Sequence, residues 1–119
     1  MEIQVNINIR TIRIKVAPID YPIKDIVGFA DLDFIDENNK IVWAGRGYMI
    51  KAETLRGSYF KVCAPLYGSR NSSKARVAII FSDKNFWKQI EKEILQEFHN
   101  LTGGKSPKDF YDMNIPDNL

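Results

Sequence analysis

The chain has 119 residues, of which 45% are hydrophobic and 27% charged, with 17 basic and 15 acidic side chains and a net charge of +2. A single domain of this length buries about two-thirds of its unfolded surface, so its core needs neither disulfides nor a metal ion. One cysteine and one histidine exclude a disulfide framework and a cysteine-rich zinc site, which favours an intracellular, cytoplasmic protein. No apolar run approaches the roughly 20 residues of a membrane span, so we expect a soluble protein without a membrane partner.

The charges are distributed unevenly along the chain. Residues 25–39 carry five acids and no base, residues 40–76 carry eight bases and one acid, and residues 109–119 carry three acids and no base. The small net charge therefore hides a basic middle, an acidic segment before it and an acidic end.

Strand-type alternation dominates the N-terminal part of the chain. Apolar residues occupy odd positions over residues 3–9 and even positions over residues 12–16. Because side chains alternate with a period of two, this change of phase predicts one long strand with a bulge or bend near Arg10. Pro18 and Pro22 predict a loop after it, since proline removes a backbone donor and restricts the preceding residue.

A second strand is predicted from Val27 to Ile35. Its alternation places Asp31 and Asp33 together on a solvent face, opposite the apolar residues. Residues 36–40, with the sequence Asp-Glu-Asn-Asn-Lys, have the composition of a hairpin turn.

A third strand is predicted over residues 41–51. Gly45 and Gly47 within it indicate a bend or a place where another chain approaches the backbone closely. The elements predicted next are a strand from Tyr59 to Ala64 ended by Pro65, a flexible polar loop over residues 67–74, and a more deeply buried fifth strand from Arg76 to Phe81.

One helix follows, over about residues 83–101. Its apolar residues recur at helical spacing, Ser82 or Asp83 can cap its start, and Gly103 with Gly104 can end it. The periodic residues are Trp87, Ile90, Ile94, Phe98 and Leu101. Residues 105–119 show no apolar period, so we divide the chain into a domain over residues 1–104 and an acidic C-terminal tail over residues 105–119.

Residues suited to catalysis are sparse. His99 lies in the last helical turn and is expected to be structural or solvated, and Cys63 lies mid-strand as a small core residue. Asp31 and Asp33 share a strand face and leave a metal-dependent nuclease as the last-ranked alternative. The sequence contains neither a G-x-S-x-G elbow nor a Walker loop. We therefore expect that the protein is not an enzyme and that it binds neither a cofactor nor a metal ion.

Aromatic residues are interleaved with the bases of residues 40–76. Strand parity places Tyr59 with Lys61, and Arg46 with Tyr48, so that each face alternates a ring with a charge. For any one of these residues core packing is at least as good an interpretation, but the cluster has the composition of a surface for single-stranded nucleic acid, in which cations neutralise phosphates and rings stack on bases. The predicted nucleic-acid-binding residues are Trp43, Arg46, Tyr48, Lys51, Tyr59, Lys61, Arg70 and Lys74.

These elements predict a mainly β fold, namely a five-stranded OB-type partly open barrel with one C-terminal α-helix. In that arrangement the binding face crosses the second and third strands, and the helix covers one opening of the barrel. The usual OB pattern often has a helix between its third and fourth strands, so the C-terminal position of this helix departs from that pattern.

The chain resembles the small OB-fold single-stranded DNA-binding proteins of bacteriophages. The resemblance lies in the single short domain, the aromatic and basic strands from Trp43 to Lys61, the basic loop from Arg70 to Lys74, and the acidic end DMNIPDNL. It implies a role in DNA replication or recombination, with replication or recombination proteins as partners of the acidic tail. A second similarity, through NNKIVWAGRGYMIK, NSSKARV and EILQEFHNL, is to the small sporulation-regulator G family of DNA-binding proteins.

We therefore predict a non-enzymatic, sequence-tolerant single-stranded DNA-binding protein. We also expect a homo-oligomer, because an exposed end of the long first strand could pair with its copy. The alternatives are a protein-interaction module, such as an inhibitor of a host enzyme, that uses the same basic face, and a sporulation-regulator G-like DNA-binding protein.

Overall fold

The computed structural model describes residues 8–67, 76–77 and 83–112, and also residues 2 and 4. The described elements are β1 Ile9–Ile23, β2 Ile26–Asp36, β3 Ile41–Glu53, β4 Tyr59–Cys63, β5 Leu66–Tyr67, β6 Arg76–Val77, α1 Lys84–Thr102 and α2 Pro107–Asp112. Strands β1 to β4 form one antiparallel sheet in chain order, and β5 pairs with β6 in a separate two-stranded sheet. The predicted mainly β fold with a helix after the strands is confirmed.

The predicted five-stranded OB-type barrel is not confirmed. The main sheet is open, with β1 and β4 at its two edges. Of the predicted fifth strand, only Arg76–Val77 is described, and it pairs with β5 instead of the main sheet. Residues 78–81 of that prediction lie outside the described residues.

The turn between β2 and β3 forms where the sequence predicts it. The Asp36 carboxylate accepts hydrogen bonds from the backbone N–H groups of Asn38 and Lys40, both at 2.9 Å. Asn39 adopts a φ of 63°, a conformation that asparagine tolerates better than most residues. Local side-chain chemistry therefore fixes the register of this hairpin.

Strand β1 is longer at its C-terminal end than the sequence predicts. The bulge expected near Arg10 is present as a register shift between Ile9 and Thr11. The loop expected at Pro18 and Pro22 is wrong, because β1 continues through both prolines to Ile23 and a second irregularity absorbs the intervening residues. An edge strand tolerates proline, since the missing donor can face away from the neighbouring strand.

The hydrophobic core lies between one face of the main sheet and the two helices. Leu32 and Ile50 of the sheet and Ile94 of α1 are completely buried. The Phe98 ring of α1 lies close to β2, because a Cβ added at Gly28 would be only 3.1 Å from Cε1 of Phe98. Glycine at this position therefore allows the helix to pack closely against the sheet.

Helix α1 begins and ends at the predicted signals. The Asp83 carboxylate accepts hydrogen bonds from the backbone N–H groups of Asn85 at 2.9 Å and Phe86 at 3.1 Å. Gly103 follows the helix with a φ of 69°, and its N–H donates to the carbonyl of His99. Side-chain capping at the start and a left-handed glycine at the end stop the helix at both ends.

The segment assigned to a tail starts with a packed helix. In α2, Phe110 is buried, and the Tyr111 hydroxyl donates a hydrogen bond to the carbonyl of Ala52 at 3.2 Å. The backbone N–H of Ser106 donates to the Asp109 carboxylate at 2.8 Å, which caps the start of α2. A six-residue helix has fewer than two turns, so its two adjacent aromatic residues show no period in the sequence.

Candidate nucleic-acid interface

The main sheet has a second face, which points away from α1 and α2 and which we call the outer face. The residues of the outer face alternate along the strands with residues that face the core. Of these, Leu32, Phe34, Ile50, Ala52 and Val62 belong to the core cluster, and Ile12, Ile14 and Phe60 pack against it. In the described part of the sheet, the outer face carries five basic and three acidic side chains, together with one exposed tyrosine, Tyr59. The charged residues are Arg13, Lys15, Arg46, Lys51, Lys61, Asp31, Asp33 and Glu53.

A bulge in β3 orients Arg46 onto this face. Between the pairs Ala30–Tyr48 and Leu32–Gly45, the two residues Arg46 and Gly47 lie opposite Asp31 alone. Gly47 adopts a φ of 78°, which is sterically unfavourable for residues with a Cβ. The bend that the glycines predict is therefore present. Because the bulge adds one residue, the residues of β3 that face the core are at odd positions before it, as at Gly45, and at even positions after it, as at Tyr48.

The change of face separates Arg46 from Tyr48, which strand parity places together. Arg46 extends over the outer face, where its Nη1 lies 2.7 Å from Oδ1 of Asp33. Tyr48 points into the core, is completely buried and stacks on Trp87 with ring centroids 5.8 Å apart. The prediction of Tyr48 as a base-stacking residue is therefore corrected: it is a core aromatic residue.

The two aspartates of β2 are held by β3. The Asp31 carboxylate accepts a hydrogen bond from the backbone N–H of Gly47 at 2.9 Å, and the Asp33 side chain, only 14% exposed, pairs with Arg46. The sequence places both on a solvent face, but both are partly buried. Within the described segments, no three histidine, cysteine, aspartate or glutamate residues lie close enough to hold a metal ion.

The β3–β4 side of the outer face contains three of the predicted binding residues, Lys51, Tyr59 and Lys61. Lys51 lies directly across from Lys61, and Glu53 across from Tyr59. Tyr59 is 48% exposed at the sheet edge. The Glu53 carboxylate lies 3.9 Å from the Lys61 ammonium and also accepts a backbone hydrogen bond from Leu55 at 3.0 Å. Tyr59 and Lys61 share a face, as strand parity predicts.

Strand β1 adds two cations that the predicted site lacks. Arg13 lies across from Asp33, and Lys15 across from Asp31, in the antiparallel register. Both are exposed, whereas Ile12 and Ile14 beside them pack against the core. The alternation of β1 in the sequence indicates that Arg13 and Lys15 share a solvent face. Only the order of strands in the sheet shows that this is also the face of Arg46.

Trp43 lies on the other face of the sheet. It is 52% exposed and packs against Phe34 with ring centroids 5.3 Å apart. Together with Ile9 and Phe86 it lines an open apolar groove of about 620 Å³ between the sheet and the start of α1. Trp43 is thus separated from the cations of the outer face.

The remaining two predicted binding residues, Arg70 and Lys74, lie outside the described residues. The structure therefore brings together Arg46, Lys51, Tyr59 and Lys61 on one surface, excludes Tyr48 and Trp43 from it, and adds Arg13 and Lys15.

Two groups with a shifted pKa belong to α2 and not to the outer face. The hydrogen bonds from the backbone and side chain of Ser106 lower the pKa of Asp109. Burial raises the pKa of Tyr111, and the carboxylates of Asp25 and Glu53 raise it further. The first shift reflects the cap at the start of α2, and the second reflects the packing of Tyr111 against the sheet.

No protein-family model, no curated protein and no solved structure matches this chain. Among the described residues, neither helix is long and apolar enough to cross a membrane.

Proposed function

We propose that this chain is a non-enzymatic, sequence-tolerant single-stranded DNA-binding protein whose binding surface is the outer face. One observation carries the proposal: strands β1, β3 and β4 of the main sheet carry five cations on a single open surface, namely Arg13, Lys15, Arg46, Lys51 and Lys61. Cations fixed on a rigid sheet neutralise successive phosphates and release counterions without reading the sequence of the bases.

The exposed ring of Tyr59 supports single strands as the ligand. Unpaired bases expose their faces and stack on aromatic side chains, whereas the bases of a duplex are already stacked on one another. Tyr59 lies beside Lys61 at one edge of the outer face, so a base could stack there while its phosphate contacts the lysine. This arrangement uses an open sheet, and the proposal does not depend on closure of the sheet into an OB-type barrel.

The proposed setting is the replication or recombination of DNA, as the resemblance to bacteriophage proteins implies. We also keep, as proposals, self-association and recruitment of replication or recombination proteins by the acidic end. Residues 113–119 of that end lie outside the described residues.

Fluorescence anisotropy of end-labelled oligo-dT tests the proposal. A label on the DNA is preferable to intrinsic fluorescence, because Trp43 and Trp87 both lie away from the outer face. We expect binding without metal ions or cleavage, and a Kd that rises steeply with salt. Lys61→Ala should reduce the magnitude of the salt slope by about 0.7, the value for one lost phosphate contact on a single strand.

The matched control for Lys61→Ala is Lys92→Ala. Lys92 is an exposed cation on α1, so its replacement removes the same charge from the opposite side of the molecule. Equal losses of affinity in the two variants would show that net charge, and not the outer face, determines binding. Unchanged anisotropy at micromolar protein and low salt would contradict the proposal altogether.

The second candidate function is a protein-interaction module that uses the same face. The observation that favours it is the pairing of Arg46 with Asp33 and of Lys61 with Glu53, because a face of mixed charge fits a protein surface of complementary pattern better than a uniform polyanion. The sporulation-regulator G-like alternative is tested by comparing the Kd for a labelled duplex with the Kd for a single strand of the same length. For that alternative, the duplex should bind more tightly.

A further inference from the structure

Asp33 lies between two cations of the outer face. Nη1 of Arg46 approaches its Oδ1 at 2.7 Å from β3, and Arg13 lies directly across from it on β1. The Asp33 side chain is only 14% exposed, whereas that of Arg46 is 52% exposed. The carboxylate is therefore set into the sheet beneath an arginine that remains open to solvent.

This arrangement creates a conflict with a bound phosphate. A phosphate that contacts Arg46 from solvent must share the guanidinium with the Asp33 carboxylate, which already contacts Nη1. The two anions then lie a few ångströms apart on a surface where charge interactions are only partly screened. Arg46 is thus the cation of the face whose positive charge is most directly compensated in the free protein.

The contacts of the neighbouring aspartate are different. Asp31 accepts a hydrogen bond from the backbone N–H of Gly47 at 2.9 Å and so holds the β3 bulge in place. Its carboxylate stabilises the backbone, whereas that of Asp33 binds a side-chain cation of the proposed interface. The two aspartates share one strand and one face, so they form a natural pair for comparison.

We propose that Asp33 is a built-in competitor of the nucleic-acid phosphate for Arg46, and that it lowers the affinity of the outer face for single strands. This inference rests on the proposed function. Asp33 acts through Arg46 and not by contact with the ligand. Its removal therefore increases binding, whereas removal of the cations decreases it.

The test is Asp33→Asn, measured with labelled oligo-dT at low salt. Asparagine keeps the size of the side chain and an oxygen that can accept from Arg46, while it removes the negative charge. We expect the Kd to fall by about three- to tenfold, and the gain to shrink as added salt screens the charges. Asp33→Thr, which keeps a hydroxyl acceptor and favours strands, should show the same gain if the asparagine variant folds poorly.

Two further variants serve as controls. Glu97→Gln removes one negative charge from an exposed position on α1, which packs against the opposite face of the sheet. Measured at about 0.1 M salt, where the screening length is about 10 Å, it should change the Kd by less than about 1.5-fold. Asp31→Asn removes a charge from the outer face without releasing Arg46, and its gain should be smaller than that of Asp33→Asn.

The outcomes distinguish the two proposals. Binding by the wild type with an equal or weaker affinity of Asp33→Asn overturns the competitor role and leaves the proposed function in place. Equal gains in Asp33→Asn, Asp31→Asn and Glu97→Gln also overturn it, since net charge alone then accounts for the effect. No binding by the wild type or by Asp33→Asn contradicts the proposed function and the competitor role together.

Discussion

Replacement of Tyr48 and of Tyr59 by alanine separates core packing from binding on neighbouring strands. Tyr48 is completely buried and stacks on Trp87, whereas Tyr59 is 48% exposed at the edge of the outer face. Removing a fully buried ring costs about 3–5 kcal/mol of unfolding free energy, because it loses both the transfer energy and the contacts around the resulting cavity. In a domain of this size that loss lowers the Tm by about 10–20 °C.

The expected effect of Tyr59→Ala is the opposite. Its unfolding free energy should change by less than about 0.5 kcal/mol, as for most exposed positions. The loss of one stacked base should weaken oligo-dT binding by about 1–3 kcal/mol, which is about five- to 150-fold in Kd. The salt slope should stay unchanged, because no phosphate contact is removed.

Urea denaturation followed by tryptophan fluorescence measures the stability of both variants, and Trp87 reports directly on the Tyr48 stack. Oligo-dT anisotropy, at a temperature where each variant is folded, measures binding. If Tyr48→Ala kept the wild-type denaturation midpoint and lost binding, Tyr48 would face solvent. The register across the Arg46–Gly47 bulge would then be wrong, and with it the placement of Arg46 beside Asp33.

Three smaller predictions concern the β3 bulge, the cap of α1 and the cap of α2. Gly47→Ala should destabilise the protein by about 1–2 kcal/mol in urea denaturation, because its φ of 78° is unfavourable for alanine although space is available at the Cβ; an unchanged midpoint would contradict the bulge. Asp83→Ala should lower the free energy of unfolding by about 1 kcal/mol, because the carboxylate that caps α1 is lost. An equal decrease in Asn85→Ala, which keeps the cap, would contradict this explanation. The lowered pKa of Asp109 means that its contribution to stability is fully present above the unfolded pKa and is lost as the pH falls through the lower folded pKa. NMR titration of the Phe110 signals should follow that transition, and signals that stay unchanged through it would contradict the capping role.

The sequence predicts the elements whose signals are local. The Asp36–Lys40 turn and the Asp83 cap depend on side chains that bond to backbone groups a few residues away, so both are found at the predicted positions. The bulge near Arg10 is equally local, because a change of phase in the alternation cannot occur without an extra residue.

Features that depend on tertiary context are the ones that the sequence misses. A strand through Pro18 and Pro22 is possible because β1 lies at the sheet edge, and nothing in residues 18–22 alone indicates an edge position. Helix α2 is too short to show a period and is stabilised by burial of Phe110.

The candidate site is predicted in part for the same reason. Lys61 and Tyr59 are placed correctly because β4 alternates without interruption. Arg46 and Tyr48 are separated because the glycines indicate a bend without showing that it inverts the two faces of the strand. Simple parity fails at this bulge, which places one of the two predicted residues in the core.

The central claim is that single-stranded DNA lies on the outer face of the sheet. Amide chemical-shift mapping of the ¹⁵N-labelled protein with unlabelled oligo-dT tests it most directly, because each strand reports on both faces through alternating residues. We expect the largest shift changes around Arg13, Arg46, Lys51 and Lys61, with little change along the exposed side of α1. Changes centred on the apolar groove near Trp43, or no changes at saturating DNA and low salt, would contradict it.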